Sequence, residues 1–213
     1  MDPICYIAGA CPPGRIVLRS GRPALVIAAD AGLRHLGDQG LAPDLIVGDF
    51  DSLGRVPEGQ NVLRHPAEKD DTDMLLAVRA GLERGCRTFL LYGGLGGRLD
   101  HAYANLQTLV FLAERRARGF LVGGGLVVTA VRNGALTFAP ERRGVISVFC
   151  PNGEARGVDL EGLRYPLRDA ALTSGFPLGV SNQFTGKPAR VSVRAGTLLV
   201  MWEEEPESLA ERL

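Results

Sequence analysis

Arg87–Asp100 reads RTFLLYGGLGGRLD: an apolar, leucine-rich run, a glycine-rich turn, and then the opening of a new pattern. Past the turn, Leu99, Ala102, Leu106, Leu109, Val110 and Ala113 recur at helical spacing, predicting a helix over 99–118. Strand, glycine turn and helix form the unit from which open α/β sheets are built. The same grammar extends outward. CYIAG (5–9), LVIAAD (25–30), DLIVGD (44–49) and NVLRHP (61–66) read as further short strands. Between Thr72 and Gly85, Met74, Leu75, Val78 and Leu82 keep the helical period, with Thr72 or Asp71 as cap and Gly85 as the stop.

The run Gly123-Gly124-Gly125 ends that regime. VVTAV, ALTFAP, GVISVFC, ARVSV and TLLVMW follow as short strands, punctuated by Asn133-Gly134 and Asn152-Gly153, with no further helix before the acidic tail. The expected architecture is an α/β N-terminal domain with a mainly parallel sheet over residues 1–122. An all-β sandwich or barrel over 123–213 completes the chain.

The chain has 213 residues, 46% of them hydrophobic and 23% charged, enough to bury a sizeable core. Formal net charge is zero, which argues against a nucleic-acid partner. Arg115, Arg116, Arg118, Arg142 and Arg143 read as a solvated face. Four cysteines without a C-x-x-C pair, and three histidines, speak against a zinc site or a disulfide framework. The absence of a long apolar stretch or a signal-peptide pattern makes a soluble, cytoplasmic protein without membrane contact the expectation.

Nine of the twelve aspartates lie between Asp30 and Asp100, grouped in short clusters that mostly follow strands. Ligands of open α/β sheets bind beyond the carboxyl ends of the strands, so these clusters point to a hard-cation, polyphosphate site. Asp49 and Asp51 flank Phe50; in extended chain both carboxylates face one way, and a divalent cation relieves their repulsion. A solvated acidic turn is the competing account. Asp70 and Asp73, three apart, share a face at the start of the second helix, where acids also favour the helix dipole. Gly93–Gly97 suits phosphate approach, and Arg98 can offer a bidentate fork. His101 could serve catalysis, but one histidine at a helix start is more often a capping or packing residue. Ser181-Asn182-Gln183-Phe184 combines a hydroxyl, an amide and an aromatic face suited to a small aromatic ligand, or else forms a polar turn with one core Phe.

Taken in order, these segments resemble the thiamine pyrophosphokinase family. The matching pieces are Asp30-Ala31-Gly32, Pro43-Asp44, Gly48–Ser52, Lys69-Asp70, Thr72-Asp73, Gly93-Gly94 to Arg98, Asp100-His101 and Ala104-Asn105-Leu106. Gly162–Leu167 and Ser181-Asn182 with Phe184 continue the series. Val180, Lys69 and Cys11-Pro12-Pro13 depart from the pattern that members often show. The resemblance implies transfer of pyrophosphate from ATP to the hydroxyl of thiamine, giving thiamine diphosphate and AMP, with Mg²⁺ as cofactor. It implies a homodimer whose thiamine site lies at the subunit interface. By the same resemblance Asp49, Asp51 and Asp73 hold metal, and Asp30, Asp49, Asp70 and Arg98 meet ATP. Lys69, Asp100, Ser181, Asn182 and Phe184 meet thiamine, while Asp51, Asp73, Arg98 and Asp100 serve catalysis. The alternative acceptor is another alcohol such as a hydroxymethylpterin.

Overall fold

The strand-turn-helix repeat builds β1 (Ile4–Ala8), β2 (Ala24–Ala29), α1 (Gly32–Asp38), β3 (Leu45–Gly48), β4 (Val62–Arg64), α2 (Asp73–Glu83), β5 (Thr88–Tyr92), α3 (Leu99–Glu114) and β6 (Arg118–Gly123). The second half supplies β7 (Leu126–Arg132), β8 (Ala135–Phe138), β9 (Val145–Phe149), β10 (Glu154–Glu161), β11 (Leu167–Thr173), β12 (Gly179–Gln183), β13 (Ala189–Ala195), β14 (Thr197–Glu203) and α4 (Pro206–Arg212). This computed structural model describes residues 2–49, 61–64 and 71–212. Asp51, Lys69 and Asp70, expected in the site, lie outside the described residues. Among the described residues no helix is long and apolar enough to cross a membrane.

A ten-stranded sheet runs in the order β12-β9-β14-β7-β6-β5-β1-β2-β3-β4. From β6 to β4 neighbours are parallel; from β6 to β12 they are antiparallel. A four-stranded antiparallel sheet, β11-β10-β13-β8, closes the sandwich. The expected boundary at 123–125 falls in a two-residue hairpin. Gly124 and Gly125 both take positive φ (61° and 73°), the geometry of a type I′ turn. The large sheet continues through this hairpin, so both halves of the chain share it.

Side chains alternate across the parallel strands and fill two cores. Cys5, Ile7, Ile27, Val47, Phe89, Leu91 and Leu121 pack against the inner faces of α2 and α3. Ile4, Tyr6, Ala28, Leu90 and Tyr92 meet α1 and α4 on the other face, and that core runs on into the sandwich through Phe138, Ile146, Val148, Val191 and Trp202.

Several details depart from the sequence reading. The helix expected over 99–118 stops at Glu114, because Arg116 turns left-handed (φ 57°). Ala117 N–H then reaches the Leu112 carbonyl and Arg116 N–H the Ala113 carbonyl, a Schellman closure without glycine. Arg118 opens β6 instead. α1, β6, β10, β11 and β12 carry no clear periodic signal: β10 is bulged, and β11 and β12 are edge strands with much exposed polar surface. Arg142 is not part of a solvated face. It ion-pairs with Glu204, whose side chain is fully buried and also receives Arg212 and the Trp202 indole N–H.

Candidate functional site

β1 leads to β2 on one side, while β5 lies on its other side, so the strand order reverses between β1 and β5. A crevice forms beyond carboxyl strand ends at such a switch point. Here it holds a cavity of about 360 Å³. Its walls are Gly9, Ala10 and Cys11 after β1, Ala29 and Asp30 ending β2, Asp71–Met74 opening α2, the loop after β5 at Gly93, Gly94 and Gly96, and His101 and Asn105 of α3.

Backbone ties between the loops form the floor. Gly9 N–H donates to the Tyr92 carbonyl at 2.8 Å and Cys11 N–H to the Gly93 carbonyl at 3.1 Å. Gly93 has φ +66°, and a Cβ there would lie 2.5 Å from the Cys11 carbonyl oxygen. Only glycine fits so close a crossing. Gly32 plays the same part under α1, where an added Cβ would meet the Ala8 carbonyl at 1.8 Å.

Asp30, Asp71 and Asp73 reach this cavity from separate elements; Asp49 does not line it. Asp30 takes a left-handed backbone (φ 48°) as β2 ends, and its N–H donates to the Val47 carbonyl at 2.8 Å. Strained conformations of this kind cluster at binding sites. Asp49 follows β3, whose last residue, Gly48, lies so close to Asp30 that an added Cβ would stand 3.2 Å from the Asp30 Cα. Asp73 begins α2. Thr72 provides the cap, accepting from Leu75 N–H at 3.2 Å, while Asp71 pairs with Arg79 at 2.6 Å. Pro43-Asp44 turns out to be structural: the Asp44 carboxylate accepts from Val26 N–H at 2.8 Å.

Between Gly96 and His101, which line the cavity, Arg98 and Asp100 do not line it themselves but form a two-pronged ion pair, with Nη2 to Oδ2 at 2.6 Å and Nε to Oδ1 at 3.2 Å. Hydrogen bonding from Arg98, helped by the His101 N–H, lowers the Asp100 carboxyl to a pKa of about 2. Both side chains are well exposed, at 73% and 64%, so the fork stays open to exchange partners. Arg98 directly follows Gly96-Gly97, which lies against Cys11; the Cys11 thiol donates to the Gly96 carbonyl at 3.4 Å.

Of the residues expected around thiamine, Ser181, Asn182 and Phe184 are absent from the cavity lining. Ser181 is exposed on β12 with a left-handed backbone (φ 57°). Asn182 is buried, and its carboxamide is spent on Tyr165: Oδ1 accepts from Tyr165 N–H and Nδ2 donates to Tyr165 O, at 2.9 and 2.7 Å. Phe184 is only 8% exposed, its ring edge-on to Phe138 at 5.0 Å. Within one chain its ring is a core element, the packing alternative weighed above. Cys11 and Asp71, which read from sequence only as a departure and a helix cap, line the cleft because the chain crossover brings them there.

A glycine-floored acidic cleft at the switch point of a wound α/β sheet, carried on a chain that ends in a β-sandwich, defines a two-part protein with a site suited to polyphosphate. Residues 21–121 match the family model "Thiamin pyrophosphokinase, catalytic domain" and residues 137–198 match "Thiamin pyrophosphokinase, vitamin B1 binding domain". The chain belongs to the thiamin pyrophosphokinase family. It is similar to thiamine pyrophosphokinase of Bacillus subtilis strain 168, at 28% identity over 184 residues, 83% of this chain and 86% of that protein. The crystal structure of thiamine pyrophosphokinase from Bacillus subtilis superposes with a TM-score of 0.79 at 25% identity, covering 96% of this chain and all of that one. That from Geobacillus thermodenitrificans gives 0.77 at 28% identity, over 95% and 98% of the two chains.

Proposed function

We propose that this protein transfers a pyrophosphoryl group from ATP to the hydroxyl of thiamine, releasing AMP and thiamine diphosphate. The observation that carries the reading is the cleft between β1 and β5. There Asp30 and Asp73 stand over a floor of closely tied glycine loops, in a chain that matches both family models. The glycine loop after β5 offers main-chain N–H groups to phosphate oxygens, and Arg98 can exchange Asp100 for a phosphate with its fork intact.

Mg²⁺ suits this donor set. Among the described residues no three such groups stand together as a ready-made cage. Mg²⁺, however, characteristically takes one or two carboxylates and completes its shell with phosphate oxygens and water. Asp49 and Asp73, with Asp51 two residues after Asp49 in sequence, would hold it, and it would neutralise charge on the polyphosphate. The chain's own contribution is to align the acceptor hydroxyl with the β-phosphorus and hold the departing AMP, catalysis by positioning and preorganised charge.

The acceptor side is read as shared between two copies of the chain. What supports this is distance: β12, which bears Ser181, is separated from β5 by β9, β14, β7 and β6. Five strand spacings amount to roughly 24 Å. A homodimer that sets Ser181 of one copy over the cleft of the other closes that gap. The exposed Phe176, Leu178 and Val180 on and beside β12 give such an interface apolar surface. The division near 123–125 then separates a nucleotide half from an acceptor half. Four free thiols fit work in the reducing cytoplasm.

Chromatographic detection of AMP and thiamine diphosphate tests the activity, with Mg²⁺ present and absent and with a hydroxymethylpterin as rival acceptor. Equimolar AMP and thiamine diphosphate, dependent on Mg²⁺, is the expected result. Transfer to the pterin but not to thiamine overturns the assignment of the acceptor.

A further inference from the structure

Asn105 lies one turn beyond His101 on the same side of α3, and both border the cleft. The residue is nearly buried, at 7% exposure. Nδ2 donates to the Gly94 carbonyl at 2.8 Å, and the side chain makes no other hydrogen bond among the described residues. That bond fixes which way the amide faces. Turned over, Oδ1 would stand against the Gly94 oxygen, acceptor against acceptor. Oδ1 is therefore the end left over, an acceptor that stays accessible at the cavity wall in an otherwise mostly buried residue. Held in that orientation, it is open to a donor on whatever fills the cavity.

We propose that Asn105 Oδ1 accepts a hydrogen bond from a neutral donor on the nucleotide, either a ribose hydroxyl or the exocyclic amino group of the base. This makes Asn105 a specificity residue for the pyrophosphate donor. Phosphate oxygens cannot be its partner, because they too are acceptors. They fall to the glycine loop and Arg98, and Asn105 reads the nucleoside instead. The inference rests on the cleft being the nucleotide site. It also assigns Asn105 two tasks: Nδ2 holds the glycine loop in place, while Oδ1 meets the ligand.

Titration calorimetry of the intact protein with Mg²⁺ and ATP, 2′-deoxy-ATP, 3′-deoxy-ATP or ITP tests this, using wild type, Asn105→Leu and Asn105→Ser. Each analogue removes one candidate donor. Wild type is expected to bind one of the three about tenfold more weakly than ATP, the scale of a single hydrogen bond. In the variants that penalty should shrink to about twofold or less, because the partner is gone. Slackening of the Gly94 loop weakens all four ligands alike and so leaves the comparison intact, and a melting curve for each variant confirms folding. Equal binding of all four ligands by wild type overturns the proposal, as does a penalty unchanged in both variants. Failure of wild type to bind ATP at all overturns the nucleotide reading itself, and this inference with it.

Discussion

Arg98 and Asp100 illustrate how one side chain can be held ready by another. Asp100 holds the planar guanidinium in place beside the glycine loop, and its own carboxyl is lowered to about 2 as a consequence. Because the folded-state value is depressed, whatever stability the pair adds is present above the ordinary carboxylate range and disappears as pH falls through about 2. Arg98→Ala should return the Asp100 carboxyl toward its ordinary range, which an NMR titration of the side-chain carbon would read directly. The same variant should lower kcat by about 10²–10³-fold, the scale for losing one preorganised charge-stabilising donor. Arg98→Lys should recover only part, since a point charge lacks the planar fork. Full turnover in Arg98→Ala would make the residue a surface cation and nothing more.

The elements show how similar local problems receive different solutions. α2 and α3 both end in Schellman closures, but α2 uses Gly85 (φ 82°) and α3 uses Arg116 (φ 57°). A non-glycine residue in this region costs roughly 1–2 kcal/mol. Arg116→Gly should therefore leave the fold unchanged and raise stability by about 0.5–1 kcal/mol, read as a rise in Tm. Phe184 argues the reverse case. Its ring fills the space beside Phe138, which in turn packs edge-on to Trp202. Phe184→Ala should cost about 3–5 kcal/mol of stability, the range for emptying an aromatic core site. A variant with unchanged Tm but a raised KM for thiamine would instead make the ring a ligand contact.

For the molecule as a whole, the decisive question is whether a site needs two copies of the chain. Asp73→Asn and Ser181→Ala disable opposite ends of the proposed composite site. If each is inactive alone, co-refolding equal amounts should restore roughly a quarter of wild-type activity. Half of a random mixture is heterodimer, and each C₂ heterodimer keeps one intact site of two. No recovery, with mixed dimers demonstrated by native mass spectrometry, would put the whole site in one chain. A separate test concerns the C-terminal helix. Glu204 holds Arg142 and Arg212 together beneath α4, and Arg15, from the loop after β1, reaches Glu207 on that helix. Glu204→Leu would leave two guanidinium groups without their buried partner, so a loss of about 3–5 kcal/mol is expected in denaturant unfolding.

Much of this was legible in one dimension, for physical reasons. Buried parallel strands read as apolar runs, α2 announces its cap and its glycine stop, and ligands of such sheets gather past the strand ends. Asp30, Asp73 and the Gly93–Gly97 loop could therefore be placed near a site before any coordinates. The family resemblance likewise stood on the order of short segments. What the sequence could not carry is whatever depends on which strand lies beside which. Edge and bulged strands such as β10, β11 and β12 lack clean alternation, so they were invisible. An arginine in a left-handed cap gives no compositional warning. Only the crossover that sets β1 against β5 brings Cys11 and Asn105 into one cleft, and only packing shows that Phe184 faces Phe138 and that Asn182 is occupied by Tyr165. Sequence determines what each segment can do; proximity, which decides what the segments do together, is a property of the folded chain alone.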